Sequence, residues 1–280
     1  MFEGIDTQKL NIKTARFGTG EWLLANPDYQ EWLHSAPSPQ TPRVLGINGK
    51  PGAGKSMIMK FAYLNAKRGT GNQHVVAASF FFNKEGGYLK RSIVGLHRSL
   101  LLQLLEGCPD IQIMMDDSTM ASLSHGGCPS LHVLKHLFCQ AVFALGQRSF
   151  LCFIDALDVC DEREAADLMQ YFDNLTKLST AAGSLFRVCV SGGDGLSMSH
   201  RFRTRIILED QSGHVKDLES TIARRLHAGT STLVEGLHSK LLQKAAGNFK
   251  WVLSVVDDIN TEVARGEMCL GRVLKNAGLI

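Results

Sequence analysis

Eight consecutive residues, GKPGAGKS at positions 49–56, combine the residue types that bind a polyphosphate. They match the pattern G-x-x-x-x-G-K-[ST] between an apolar run of strand length and an amphipathic segment without Gly or Pro. Glycines at 49, 52 and 54 permit positive φ and let backbone N–H groups close around phosphates, while the next helix points its positive dipole end at the anion. The pattern predicts a phosphate-binding loop, here called the P-loop. The predicted nucleotide-contacting residues are Gly49, Lys50, Pro51, Gly52, Ala53, Gly54, Lys55, Ser56 and Met57.

Two side chains of the P-loop have specific predicted roles. Lys55 is placed to reach the β- and γ-phosphates, which makes it a predicted binding and catalytic residue. Ser56 offers its hydroxyl to Mg²⁺, a hard cation that prefers oxygen ligands and is commonly shared with nucleotide phosphates. The expected ligands are Mg²⁺ with ATP or GTP, and both nucleotides remain alternatives because no guanine-reading motif stands out.

A carboxylate is expected opposite the P-loop, at the end of a neighbouring strand. The apolar run FLCFI at 150–154 leads directly into Asp155. Open α/β sheets bind ligands at the carboxyl ends of their strands, so Asp155 is predicted to hold Mg²⁺ directly or through water.

Two further polar residues admit two interpretations each. Asp158 orients the attacking water or accepts its proton, or else it caps the following helix. Ser191 ends another apolar strand and contacts the γ-phosphate, or else it is a solvated residue at the end of a strand.

The segments around these residues alternate between strand and helix patterns. Strands are predicted at 44–48, 75–82, 150–154, 186–190 and 205–208, and most are too uniformly apolar to be half exposed. Helices are predicted at 57–66, 89–106, 131–145 and 162–178, whereas 109–129 is predicted to be irregular. This alternation predicts an α/β fold with a mostly parallel sheet covered on both faces.

Beyond residue 213 the pattern is helical only, with helices predicted near 214–227, 235–246 and 248–265. We therefore divide the chain into a helical lead-in at 1–42, a nucleotide-binding domain at 43–212 and a small helical lid at 213–280.

Composition limits the classes of partner. The net charge is +3, from 30 basic and 27 acidic residues, and gives no electrostatic case for nucleic acid. No apolar stretch is long enough to span a bilayer, and the N-terminus has no secretory pattern. Seven cysteines, an odd count with several in apolar segments, favour a reducing cytoplasm.

The sequence resembles the fungal branch of the NACHT nucleoside-triphosphatases, a module also described as the nephrocystin-3-like N-terminal domain. The segments that carry the resemblance are TGEWLLANPDYQEWL, GKPGAGKS, SFFFNKEGG, FIDALDVCDE, LEDQSGHVKDLE and KAAGNFKWVLSVV. It implies an ASCE-type P-loop sheet with strand order 5-1-4-3-2, a helical lid, and a signalling switch of the STAND or NOD-like receptor type. The resemblance also implies that Gly49, Gly54, Lys55 and Ser56 bind phosphate and Mg²⁺, and that Asp155 binds the metal. Protein partners or self-oligomerisation follow from it too.

Two positions depart from the family pattern. Val159 replaces the last acid of D-A-L-D-E, and Gly193 replaces the arginine of C-x-S-S-R. A missing cation near the γ-phosphate removes electrostatic stabilisation of the transition state. We therefore expect binding with weak or absent hydrolysis. Relatives tend to continue beyond the lid, so a fragment, a truncated product and a minimal partner of larger receptors are all consistent with the pattern.

Two other functions compete with the switch. In the first, the protein is an interaction or scaffold module and the nucleotide is a structural ligand that stabilises its fold. The second is a P-loop kinase, for which Arg201, Arg203 and Arg205 would have to close over the phosphates.

Overall fold

Five parallel strands form one sheet at the centre of the fold. The structure, a computed structural model, describes residues 19–36, 43–69, 75–114, 129–193, 204–227, 232–265, 275 and 277–279. The strand order is β2-β3-β4-β1-β5, and every pairing is parallel. The predicted α/β class and the order 5-1-4-3-2 are confirmed. The strands are β1 Val44–Asn48, β2 Val75–Phe81, β3 Ser149–Asp155, β4 Leu185–Gly192 and β5 Thr204–Ile207.

Ten helices surround or follow this sheet within the described ranges, and most begin or end within three residues of the predicted bounds. They are α1 Trp22–Ala25, α2 Pro27–His34, α3 Lys55–Arg68, α4 Ile93–Gly107, α5 Pro109–Met114, α6 Leu131–Phe143, α7 Glu162–Ala181, α8 Ser212–Arg225, α9 Thr232–Ala245 and α10 Phe249–Arg265.

Helix α5 corrects the prediction that the chain is irregular after Pro109. Proline is tolerated at the first position of a helix, and Asp110 adds an acid to the first turn. Ile111 is fully buried, which anchors the short helix to the core. Asp110 also receives two hydrogen bonds of 2.8 Å from the Arg148 guanidinium.

The two faces of the sheet are packed against different helices. Along β3, Phe150, Cys152 and Ile154 join a core with residues of α4, α6 and α7, whereas Leu151 and Phe153 join a core with α2 and α3. This alternation places both faces in apolar surroundings, as a parallel sheet requires. The carboxyl ends of the strands therefore remain as the place for a ligand.

The described residues after β5 form helices with a core of their own. Its largest buried members include Leu218, Leu241, Phe249, Val252 and Ile259. We call α8, α9 and α10 the helical subdomain. The domain ranges 1–42, 43–212 and 213–280 stay predictions.

The lead-in before the sheet is tied to the helical subdomain. Asp217 of α8 accepts hydrogen bonds from Gly20 N at 2.7 Å and from Trp22 Nε1 at 3.0 Å. Trp32 is fully buried, with its ring 5.9 Å from that of Phe153. The lead-in thus bridges the sheet and α8.

The open edge of the sheet at β2 is covered at one point by a side chain. The Gln103 amide donates to Ser79 O at 2.9 Å and accepts from Ser79 N at 3.0 Å. These two bonds reproduce those of a further strand at this residue.

A buried histidine gives this core a pH dependence. His97 is fully buried among the rings of Phe138, Tyr171 and Phe172, and its Nδ1 donates to Ile93 O. Burial lowers the pKa of His97 from 6.5 to about 4. Since the unfolded chain takes up a proton on His97 before the folded protein does, stability is fully present above pH 6.5 and declines towards pH 4.

We expect this histidine to remove about 3 kcal/mol from the free energy of unfolding between neutral pH and pH 4. The His97→Phe variant keeps an aromatic ring but cannot titrate, so its stability should fall less over the same window. Urea unfolding of both proteins at several pH values measures the difference. Parallel stability curves for the two proteins would contradict the assignment.

Candidate nucleotide-binding site

The P-loop connects β1 to the first turn of α3. Gly52 and Gly54 have φ of +87° and +95°, which side-chain-bearing residues rarely adopt. Gly54 immediately precedes α3, so the loop ends at a helix N-terminus. Gly49 differs from the prediction because its φ is not positive. A Cβ there would lie 3.2 Å from a carboxylate oxygen of Glu209, so close approach of that side chain explains the glycine.

Lys55 and Ser56 occupy the first turn of α3, and both are partly exposed. Lys55 Nζ donates to Gly49 O at 2.5 Å and to Lys50 O at 3.1 Å. The ammonium group therefore lies across the mouth of the loop. Met57, the last predicted loop residue, belongs to α3 and packs against the core of the helical subdomain.

Asp155 ends β3 beside the P-loop, as predicted. The Ser191 hydroxyl donates to Asp155 Oδ1 at 2.5 Å and accepts from Ala156 N at 3.0 Å. Ala156 has a φ of 56°, a strained value for a residue with a side chain. Ser191 therefore fixes both the carboxylate and the turn that follows it.

The charge of Asp155 is set by opposing effects. Burial and the charge of Asp158 raise the pKa of its carboxyl, while the Ser191 and Ser56 hydroxyls and the positive charge of Lys55 lower it. The net shift is upward. These influences also show that Lys55, Ser56 and Asp155 share one site.

One oxygen of this carboxylate suits a metal ion. Asp155 Oδ2 is buried and has no hydrogen-bond partner. An unpaired buried carboxylate oxygen is costly unless a donor or a cation occupies the space beside it. With the Ser56 hydroxyl, it supplies the oxygen ligands that Mg²⁺ prefers. The residues present therefore fit Mg²⁺, which Ser56 and Asp155 would hold.

Asp158 is exposed in a short 3₁₀ turn, Leu157–Val159. The interpretation of Asp158 as a helix cap is wrong, because Asp161 caps α7 by accepting from Arg163 N. Asp158 Oδ2 lies 3.4 Å from where a Cβ on Gly193 would be. A side chain at position 193 would thus stand next to Asp158. The catalytic role of Asp158 stays a prediction.

Ser191 is completely buried, with its hydroxyl engaged by Asp155 and Ala156. It is therefore not the solvated residue of the second interpretation. Its contact with the γ-phosphate stays a prediction, and positioning Asp155 is the role that its contacts support.

The outer side of the P-loop is bonded to the helical subdomain. Three successive carbonyls accept hydrogen bonds: Pro51 O from Asn248 Nδ2 at 3.2 Å, Gly52 O from Lys250 N at 3.1 Å, and Ala53 O from His214 Nε2 at 2.9 Å. Because Ala53 O is an acceptor, Nε2 of the imidazole carries the proton. We call these three bonds the loop clamp.

Two further contacts tighten this arrangement. Lys50 N donates to Glu209 Oε1 at 2.6 Å. The ring of Phe249 lies 5.1 Å from that of His214 in an edge-to-face arrangement. Every P-loop residue from Lys50 to Ala53 therefore has a backbone bond to a residue after β5.

Sequence reasoning did not assign roles to Glu209, His214 or Asn248. Their partners lie between 159 and 197 residues away in the chain, so no local spacing links them to the loop. The only hint was that they fall within two of the segments that carry the family resemblance.

Comparison with known proteins supplies the family. A family model described as nephrocystin 3, N-terminal, matches residues 18–192, more than half of the 280-residue chain. The chain belongs to this family. The nephrocystin 3 N-terminal match ends at Gly192, the last residue of β4. The loop clamp residues His214 and Asn248 thus lie outside it.

The solved structures include a distant neighbour of this chain. Among solved structures, the structure of C. elegans PCH-2 is 13% identical and covers 92% of this chain and 67% of that chain, with a TM-score of 0.41. The comparison with curated proteins gave no match.

The P-loop geometry and the nephrocystin 3 N-terminal family together identify a nucleotide-binding module. None of the described helices is long and apolar enough to cross a membrane.

Proposed function

We propose that this protein is a nucleoside-triphosphate-dependent switch in which the helical subdomain responds to occupancy of the P-loop. ATP or GTP binds with its phosphates at Gly49–Met57, and Mg²⁺ is held by Ser56 and Asp155. The observation that carries the proposal is the loop clamp, since three successive loop carbonyls are bonded to α8 and the start of α10.

The coupling follows from the geometry of a peptide unit. Each peptide in the loop presents its N–H on one side and its C=O on the other. A phosphate that draws the N–H groups inward therefore reorients the carbonyls that the helical subdomain binds. A nucleotide shifts the subdomain only by its difference in affinity for the two arrangements, so triphosphate and diphosphate must be distinguished by the loop clamp.

Slow or absent hydrolysis is part of the proposal. The position next to Asp158 where the family pattern has an arginine is Gly193, and Val159 replaces an acid. Without a fixed cation at this point, the charge that develops during phosphoryl transfer is poorly stabilised. The bound triphosphate then persists as a signal.

The finer identity that we propose is a NACHT module of the fungal NOD-like receptor type. In this role the protein acts in the cytoplasm, through protein partners or self-oligomerisation. The tie between the lead-in and α8 through Asp217 supports it, because movement of α8 would be passed to the N-terminal side of the chain.

A structural-ligand role for the nucleotide is the second candidate, and it is favoured by the same clamp. Hydrogen bonds that hold the subdomain to the loop would let any nucleotide stabilise both parts together. The kinase hypothesis gains no such support. Arg205 lies exposed in β5, and Arg201 and Arg203 lie outside the described residues.

Replacing Asn248 by alanine tests the switch against the structural ligand. Asn248 bonds Pro51 O and also accepts from Trp251 N at the start of α10, so its loss should cost about 1 kcal/mol of stability. If the clamp distinguishes nucleotides, the ratio of triphosphate to diphosphate affinity should change about 5-fold or more. Titration calorimetry with both nucleotides measures it, alongside turnover and oligomeric size.

Asn174→Ala is the matched control, because Asn174 is bonded only to Gln170 among the contacts found and lies far along α7. It should leave the affinity ratio unchanged. An unchanged ratio in Asn248→Ala, with di- and triphosphate stabilising equally, would support the structural-ligand role. Turnover like that of an efficient ATPase would contradict the slow hydrolysis.

A second pair of variants separates loop strain from the clamp. Gly52→Ala and Gly54→Ala both place a side chain at a φ near +90°, but their surroundings differ. The new methyl at 52 would lie 2.3 Å from Asn248 Oδ1, whereas the one at 54 meets nothing closer than 3.6 Å. Both should weaken binding, and only Gly52→Ala should also change the affinity ratio.

A further inference from the structure

Two buried arginines lie together at the opposite end of the sheet from the P-loop. Val44 pairs with Val188, so Arg43 and Arg187 occupy neighbouring positions at the amino ends of β1 and β4. Their relative exposures are 6% and 3%. Side chains two residues further along, Leu45 and Cys189, belong to the core shared with α2 and α3, which places both guanidinium groups on that face.

Among the described residues each guanidinium makes one hydrogen bond, and both bonds go to carbonyls just after α2. Arg43 Nη2 donates to Ala36 O at 3.1 Å, and Arg187 Nη2 donates to Ser35 O at 2.7 Å. A backbone carbonyl is a neutral acceptor, so neither bond offsets the positive charge. None of the ion pairs found among the described residues includes Arg43 or Arg187.

Several donors at this point have no partner. They are Arg43 Nε and Nη1, Arg187 Nε and the Ser35 hydroxyl, all buried. Burial and the charge of Arg43 lower the pKa of Arg187 to about 10, which still leaves it cationic at neutral pH. Two neighbouring buried cations with unused donors are costly, and groups of this kind are normally satisfied by an ion or water.

We propose that Arg43, Arg187 and Ser35 bind a small oxyanion of the phosphate class. Such an anion offers several acceptor oxygens and a negative charge, so it satisfies the donors and offsets both cations, which a water molecule cannot do. Because both arginines also bond the end of α2, the bound anion ties the lead-in to β1 and β4. The deep burial of the site favours a free inorganic ion over the phosphoryl group of a larger molecule.

The test must separate this site from the P-loop, which also binds phosphate. Lys55→Ala provides the background, and inorganic phosphate is titrated against chloride at constant ionic strength. We expect saturable stabilisation, with the melting temperature rising by about 5 °C at 100-fold excess over the dissociation constant. Adding Arg187→Met should abolish the rise. The Lys55→Ala protein with Arg148→Met, whose Asp110 partner is largely exposed, should keep it.

Each result bears on the proposal. Absence of stabilisation in the Lys55→Ala background, or its persistence with Arg187→Met, would overturn it. Removing an uncompensated buried charge is expected to leave the fold intact. Should Arg187→Met nevertheless fail to fold, diffraction from wild-type crystals grown in selenate decides. An anomalous peak between Arg43 and Arg187 supports the site, and an ordered water there overturns it. Neither outcome depends on nucleotide binding at the P-loop.

Discussion

Lys55→Ala is expected to weaken triphosphate binding about 100-fold, because an ammonium group that contacts two phosphates contributes charge-assisted hydrogen bonds of about 1.5–3 kcal/mol. The structure adds a reason to expect an intact fold. Lys55 is partly exposed and bonds only loop carbonyls among the contacts found, so the ligand-free variant should melt within a few degrees of the wild type. Titration calorimetry with ATP and with GTP measures the effect.

Lys50→Ala is the matched control for that change. Lys50 belongs to the same loop, but its side chain is exposed, and its hydrogen bonds to the described residues are made by its backbone N and O. Its affinity should stay within a few-fold of the wild type. Equal losses of triphosphate affinity in both variants would mean that only the positive charge near the loop matters and that Lys55 makes no specific contact with the phosphates.

Asp155→Asn is expected to remove the effect of Mg²⁺ on triphosphate affinity, a loss of about 10- to 100-fold. The same change should leave the ligand-free protein at least as stable, because burial raises the pKa of Asp155 and its ionised form is unfavourable in the fold. Affinity measured with and without Mg²⁺, together with urea unfolding, separates the two effects.

The prediction is specific because Asp155→Asn should lower triphosphate affinity in Mg²⁺ without lowering the stability of the ligand-free protein. If Asp155 had only a structural role, Asp155→Asn would lower the free energy of unfolding and leave the Mg²⁺ dependence of triphosphate affinity in place. Asp158→Asn serves as the control, since Asp158 is exposed and lies outside the predicted metal ligands. The Asp158→Asn variant should keep the Mg²⁺ dependence. If this variant also lost it, the metal site would have to include Asp158.

The sheet and the P-loop were predictable because their information is local. Strand, loop and helix follow one another without a break from Val44 to Arg68, and an acid directly after FLCFI falls at the same edge of a parallel sheet. Periodicity and turn chemistry are properties of neighbouring residues, so they can be inferred from one sequence.

The contacts that could not be predicted join residues that are far apart in the sequence. The sequence did not indicate that the Ser191 hydroxyl holds Asp155, a contact that requires β3 and β4 to be aligned first. The loop clamp likewise requires the helical subdomain to be folded and docked. The choice of Asp161 over Asp158 as the cap of α7 was decided by a three-residue 3₁₀ turn that no sequence rule had indicated.

The bonds from Gln103 to Ser79 have a consequence for how copies of this chain can associate. An uncovered outer strand invites a neighbouring molecule to extend the sheet, which is the usual origin of uncontrolled aggregation. At Ser79 the backbone N–H and C=O that an added strand would bond are already hydrogen-bonded to the Gln103 side-chain amide. Extension of the sheet across β2 would have to displace it first. Association of two copies by pairing at this part of β2 is therefore disfavoured.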